Sequence, residues 1–306
     1  MDEREALALL AGELEPVGDD AAVVDGLVVT TDMLHERTDF PDGTTRYTAG
    51  WRSVAASLSD VAAMGAEATA AVAAYAVPEF DGDDLTAFVR GASDVCEAVG
   101  AEYVGGDLDA HEEFTVATTA VGRTGDLEPV LRSGANPGDL VCVSGTLGRS
   151  AAALEFFTRA ADESGDRRTT LLERANDLFR FEPRVVAGRA LAPYATAMMD
   201  SSDGLARSLH QLAEAGGCGF AVDSDAIPVD DALVEAIDDG DEARRLERAI
   251  TFGEDFELVF TIPEGALEGA RAATDVDLSV LGSAVESDEG ITLDGESLAD
   301  RGYTHG

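Results

Sequence analysis

The chain has 306 residues, 45% of them hydrophobic and 27% charged, the composition of a folded protein of about two domains rather than a disordered one. Sixty-one acids against 21 bases give a net charge of −40, a surface that repels nucleic acid and anionic membrane alike. Every base is an arginine and lysine is absent, which excludes a P-loop lysine, a kinase strand lysine and a Schiff-base lysine.

Hydrophobic periodicity predicts mixed helices and strands. A helix over Glu3 to Leu14 comes first, then strands over Ala21 to Val24 and Leu27 to Thr31. A helix over Thr48 to Met64 follows, then a strand over Thr69 to Tyr75 and a helix over Leu85 to Val99. Strands over Glu102 to Val104 and Phe114 to Val121 close this half. The turn-rich run from Ser133 to Asp139 divides the chain into domains 1–135 and 136–306. Beyond it, strands are expected at Leu140 to Val143, Thr196 to Met199, Gly219 to Val222, Phe256 to Thr261 and Leu278 to Leu281. Helices are expected at Ser150 to Ala161, Thr169 to Arg180, Arg184 to Leu191, Leu205 to Ala215 and Asp241 to Arg248. Neither half keeps a strict βαβ alternation, which predicts an α+β fold rather than a Rossmann sheet.

No apolar run reaches the ~18–20 residues that cross a bilayer. The start, Met1-Asp2-Glu3-Arg4-Glu5, lacks the basic region of a secretory signal. Cys96, Cys142 and Cys218 form no CxxC pair, so neither a disulfide framework nor a zinc site is expected, and a reducing cytoplasm fits.

With so many acids, a lone Asp carries no information; most are solvated surface groups. Five segments differ, because their acids lie among apolar or small residues, where a carboxylate must be paired or metal-bound. They are Gly18-Asp19-Asp20-Ala21-Ala22, Thr30-Thr31-Asp32 at an expected strand end, Ser59-Asp60-Val61 in a small-residue helix, Gly105-Gly106-Asp107 at an expected glycine turn, and Asp200-Ser201-Ser202-Asp203-Gly204 between a strand and a helix. Taken singly, each has an ordinary reading: turn chemistry for the glycine segments, a hydrogen-bonded buried acid for Asp60, a helix cap for Asp203. Together, hard oxygen donors without His or Cys suit Mg²⁺. Several such acids around one cleft suggest several ions and a polyphosphate substrate.

These motifs, in this order, resemble the thiamine-monophosphate kinase family. Leu58-Ser59-Asp60-Val61-Ala62-Ala63-Met64-Gly65-Ala66, Arg132-Ser133-Gly134-Ala135, Ser144-Gly145-Thr146-Leu147-Gly148 and Gly253-Glu254-Asp255-Phe256-Glu257 complete the match. The resemblance implies a two-domain aminoimidazole ribonucleotide synthase-like fold, a homodimer, and ATP in a cleft. It implies Mg²⁺ ligands at Asp20, Thr30, Thr31, Asp32, Asp60, Asp107, Asp200 and Asp203. It implies ATP contacts at Gly106, Asp107, Arg132 and Ser202, and thiamine contacts at Asp39, Glu254 and Tyr303. Catalysis would then fall to Asp32, Asp60, Asp107 and Arg132. Three positions depart from the family pattern: Leu108 stands where a threonine is usual, and Phe252 and Phe256 replace a glycine and a tyrosine around Gly253-Glu254-Asp255. The acidic composition is similar to that of salt-accumulating archaea.

The implied reaction moves the γ-phosphoryl group of ATP onto the phosphate of thiamine monophosphate. That acceptor is already ionised, so no general base is needed. The sister enzymes of the superfamily compete with this reading. Selenophosphate synthetase needs an early reactive Cys, whereas the first here is Cys96, and the hydrogenase-maturation protein needs a C-terminal Cys, whereas this chain ends Tyr303-Thr304-His305-Gly306. Aminoimidazole ribonucleotide synthase fits the Leu58 to Ala66 box less well, and a non-catalytic nucleotide- or metal-binding protein remains a further alternative.

Overall fold

A computed structural model describes residues 18–238 and 240–302; the predicted helix over Glu3 to Leu14, and Tyr303, lie outside them. The first sheet contains β1 (Ala22–Val24), β2 (Leu27–His35), β3 (Glu67–Val77), β4 (Glu102–Ala110) and β5 (Thr115–Arg123), in the order β1-β2-β5-β3-β4. Its pairs are antiparallel except β3 with β4. That parallel pair needs a crossover, which α3 (Gly82–Ala98) supplies. Between β2 and β3 lie the short α1 (Glu36–Asp39) and the long α2 (Arg46–Ala63).

Local chemistry starts both long helices. Thr45 caps α2 by accepting the Thr48 N–H, and Asp81 caps α3 by accepting the N–H groups of Asp83 and Asp84, each cap stabilising its helix by about 1 kcal/mol. Helix α2 is buried along most of its length, which its alanines and serines permit. Two glycines bring other backbone against it. A Cβ at Gly91 of α3 would stand 2.0 Å from the Tyr47 carbonyl oxygen, and one at Gly188 would stand 2.1 Å from that of Ala62. Both ends of α2 are thus fixed by contacts that no larger residue allows.

The second sheet contains β6 (Leu140–Ser144), β7 (Ala197–Asp200), β8 (Gly219–Val222), β9 (Leu258–Ile262), β10 (Leu278–Val285), β11 (Ile291–Leu293) and β12 (Glu296–Ser297). Their order is β12-β11-β8-β10-β6-β9-β7. Around it pack α4 (Arg149–Ala161), α5 (Gly165–Phe179), α6 (Val185–Leu191), α7 (Leu205–Gly216), α8 (Asp231–Ala236), α9 (Glu242–Thr251) and α10 (Leu267–Ala273). Strand β9 is buried throughout, which explains its unbroken apolar run.

The α+β expectation holds, with differences in detail. Helices α1, α8 and α10 and the β11–β12 hairpin are absent from the sequence reading; each is too short to show a period. Strand β2 runs on to His35, so Thr30, Thr31 and Asp32 sit mid-strand rather than at a strand end. The expected turn at Gly105-Gly106 is instead the middle of β4. A Cβ at Gly106 would lie 1.7 Å from the Ala73 carbonyl oxygen; here glycine marks close strand approach within the strand, just after a register shift at Val104. Among the described residues, no helix is long and apolar enough to cross a membrane.

Candidate functional site

Three carboxylates meet where α2 packs against β7. Asp20 precedes β1, Asp60 lies on α2 and Asp200 ends β7. Each offers an oxygen within 4.8 Å of the others. Arg132, in the segment between the sheets, grips Asp20 with Nε at 3.1 Å and Nη2 at 3.0 Å. The backbone N–H of Arg132 donates to Asp19 at 2.7 Å. Thr30 donates its hydroxyl to Asp60. Ser202 donates both its hydroxyl, at 2.7 Å, and its N–H, at 3.1 Å, to Asp200 Oδ1.

The electrostatics follow from burial. Asp60 is pushed well above the usual carboxylate range, first by burial and then by the charges of Asp32, Asp200 and Asp20, while the Thr30 hydroxyl opposes the shift. Asp200 is raised to about 7, by burial and by Asp20, against the hydrogen bonds from Ser202. Burial works against the charge on Arg132, but Asp20, Asp200 and Asp60 together hold its pKa above the ordinary arginine value. Asp200 Oδ2 is buried without a hydrogen-bond partner. An orphaned carboxylate oxygen in an all-oxygen cluster fits a hard cation such as Mg²⁺.

Through Ser202 the cluster adjoins a cleft of about 350 Å³, lined among others by Thr31, Asp32, Asp39, Ser202, Asp203 and Glu254. Six of the residues singled out in the sequence therefore share one wall system. Ser57 of α2 donates to Asp32 at 2.6 Å, fixing that carboxylate from the helix that carries Asp60. Sequence reasoning missed Ser57; its signal is a polar residue three positions before Asp60, on the same helix face. Asp39 accepts the His35 N–H at 2.7 Å and the Thr38 hydroxyl at 2.8 Å. Thr31 donates to the Thr118 carbonyl at 2.8 Å and is exposed, whereas Thr30 and Asp32 point toward α2.

Gly106 and Asp107 do not join this cleft. They line a separate groove at the outer edge of the first sheet, with Tyr75, Val89 and Leu108. Strand β4 is three strand spacings from β2, about 14 Å. Tyr303 lies outside the described residues; its neighbour Gly302 packs on Asp203, where a Cβ would approach the carbonyl oxygen to 2.3 Å.

Comparison with known proteins agrees with this geometry. Residues 18–124 match the family model "AIR synthase related protein, N-terminal domain", and residues 136–294 match its C-terminal counterpart. The thiamine-monophosphate kinase of Halobacterium salinarum is 61% identical over 305 residues, covering all of both chains. That of Methanospirillum hungatei is 39% identical over 312 residues, covering 100% of this chain and 99% of the relative. The solved structure of AaThiL complexed with AMPPCP and TMP superposes with a TM-score of 0.86 at 29% identity, covering 100% of this chain and 97% of that one. On the cleft, its carboxylates and these full-length matches, the chain belongs to the thiamine-monophosphate kinase family.

Proposed function

We propose that the chain transfers the γ-phosphoryl group of ATP directly onto the phosphate of thiamine monophosphate, releasing thiamine diphosphate and ADP. The observation that carries this reading is the Asp20–Asp60–Asp200 cluster beside Arg132, with an unpartnered Asp200 oxygen, next to a cleft walled by further acids. Those three carboxylates would hold Mg²⁺, with Asp32, Asp203, Thr30 and Thr31 close to hand. Bound there, the metal supplies charge neutralisation and alignment for the phosphates.

The rest is the work of the side chains. Arg132 engages Asp20 through Nε and Nη2, which leaves Nη1 to meet an anionic phosphate oxygen. Arginine is the residue for this in a chain without lysine, because its charge survives burial. Ser202 holds Asp200 in one orientation and presents its own hydroxyl at the cleft. Asp39 and Glu254 set negative charge along the wall, which suits the cationic thiazolium ring, and Tyr303, outside the described residues, would supply a ring face. The acceptor phosphate is ionised at neutral pH, so the protein contributes position and electrostatics rather than a base.

Two domains meeting near residue 135 form the working unit, and it functions as a homodimer in the cytoplasm. Three observations support this. Val29, Met33 and Val72 are exposed on the first sheet. Gly106 and Asp107 stand on a strand edge away from their own chain's cleft, where a second copy could use them. The three cysteines are buried and free, as in a reducing compartment. Incubation with ATP, Mg²⁺ and thiamine monophosphate in concentrated KCl tests the reading. Thiamine diphosphate and ADP should appear in equal amounts, and ADP release without thiamine diphosphate would refute it.

A further inference from the structure

Arg52 of α2 is 1% exposed, a burial that costs an unpaired guanidinium several kcal/mol. Its partners lie far along the chain. Nη1 donates to the Phe179 carbonyl at 2.7 Å. Nη2 donates to the Glu254 carbonyl at 3.1 Å and to Glu254 Oε2 at 2.5 Å. The guanidinium stands 3.7 Å over the Phe179 ring and within 5.5 Å of the rings of Phe181 and Phe256. Those last two rings stack at 4.1 Å with an interplanar angle of 8°. One side chain of the first half thus ties together two segments of the second.

The segment that it holds is strained. Glu254 and Phe256 have φ of 64° and 54°, left-handed values that cost a residue with a Cβ roughly 1 kcal/mol or more each. Three bonds keep the Glu254 backbone there. Arg52 and the Ser150 hydroxyl, the latter at 2.6 Å, both donate to its carbonyl. Its own N–H donates to the Ser202 carbonyl at 2.7 Å.

We infer that Arg52 is a positioning residue for the thiamine monophosphate half of the cleft, a role that rests on the kinase reading above. It holds Glu254 Oε2 and leaves Oε1 as the acceptor offered to the substrate. It also sets the Phe256 ring as part of the cleft wall. Arg52 touches none of Asp20, Asp60 and Asp200; it lies eight positions before Asp60 on α2, about 12 Å of helix rise. Its influence therefore falls on one substrate and not on the other. Lysine cannot replace it fully, because one ammonium cannot face two carbonyls, a carboxylate and a ring as a planar fork does.

Steady-state kinetics of wild type, Arg52→Lys, Arg52→Met, Glu254→Gln and Arg52→Met/Glu254→Gln test the role. The KM for thiamine monophosphate should rise ~3–10-fold in Arg52→Lys and ~10–100-fold in Arg52→Met, the loss of one to several charge-assisted bonds. The KM for ATP should stay within about twofold, since ~0.4 kcal/mol is the most that a remote site should feel. The double variant should be hardly worse than Arg52→Met, because both changes act through one carboxylate. Should Arg52→Met fail to fold, Arg52→Lys decides. Equal rises in both KM values, no rise in either, or additive effects in the double variant overturn the role while leaving the kinase reading intact. A wild-type protein that makes no thiamine diphosphate overturns both.

Discussion

Arg132 and Asp20 form a two-pronged pair, Nε to Oδ2 at 3.1 Å and Nη2 to Oδ1 at 3.0 Å, with Asp20 almost fully buried and Arg132 partly exposed. The buried end organises the carboxylates, and on the proposed reading the exposed end faces ligand. Arg132→Lys keeps the charge but loses the fork. It should lower kcat/KM for ATP about 100-fold, with a smaller effect on the KM for thiamine monophosphate. Steady-state kinetics with each substrate varied in turn give the answer, and a loss confined to thiamine monophosphate would contradict the assignment.

Asp60→Asn should separate activity from stability. The amide neutralises less charge, so turnover should fall about 100-fold or more. The same change removes a buried negative charge from beside Asp32, Asp200 and Asp20, while its carbonyl oxygen can still accept from Thr30. The metal-free variant should therefore melt above metal-free wild type, by several degrees at about 2–4 °C per ~1 kcal/mol. Calorimetry in EDTA checks this; a lower melting temperature would mean that Asp60 is paired better than its neighbours suggest.

The pH dependence has a definite sign. In the metal-free protein Asp200 titrates at about 7, and once unfolded at about 3.9. Between these values the folded state keeps a proton that the unfolded state has released, so the contribution of Asp200 to stability is full below about pH 4 and falls as pH rises toward 7. A cation bound to the ionised group reverses the penalty. The rise in melting temperature on adding Mg²⁺ should hence be small at about pH 5 and large at about pH 8. Melting curves with and without Mg²⁺, all in concentrated KCl, would show it; a Mg²⁺ effect independent of pH would count against Asp200 as a ligand.

Salt should help rather than harm. At a net charge of −40 the chain repels itself and ATP alike. From ~0.1 M to ~1 M KCl the Debye length falls from ~10 Å to ~3 Å, which relieves exposed repulsion more than it weakens short, buried ligand contacts. Melting temperature and initial rate should both rise over that range. A protein equally stable and faster at ~0.1 M salt would show that its acids are not a salt adaptation.

Much of the cleft was legible because Asp60 and Asp200 interrupt apolar runs, where a carboxylate needs a reason. Asp203 and Ser202 were legible from the step between a strand and a helix. Residues 105–107 misled because two adjacent glycines read as a turn, whereas only the neighbouring strand reveals that Gly106 has no room for a Cβ. Arg52 was illegible for another reason. Its partners, Phe179 and Glu254, lie more than 120 residues away, and nothing local announces them. In hindsight the signal is an arginine on the buried face of a helix otherwise made of small residues.

Helix α2 carries Arg52 near its middle and Asp60 near its C-terminal end, with Ser57 between them holding Asp32. Backbone contacts at Gly91 and Gly188 keep it from sliding or rolling. On the proposed reading it acts as a caliper whose jaws are set by helical rise, one for the phosphates and one for the thiazolium ring. Discrimination by reach follows: an analogue with one more methylene between ring and phosphate must overshoot a jaw, whatever its charge. Inserting a single residue between Arg52 and Asp60 would turn one jaw by about 100° against the other, so this interval cannot drift in length while the enzyme keeps its substrate.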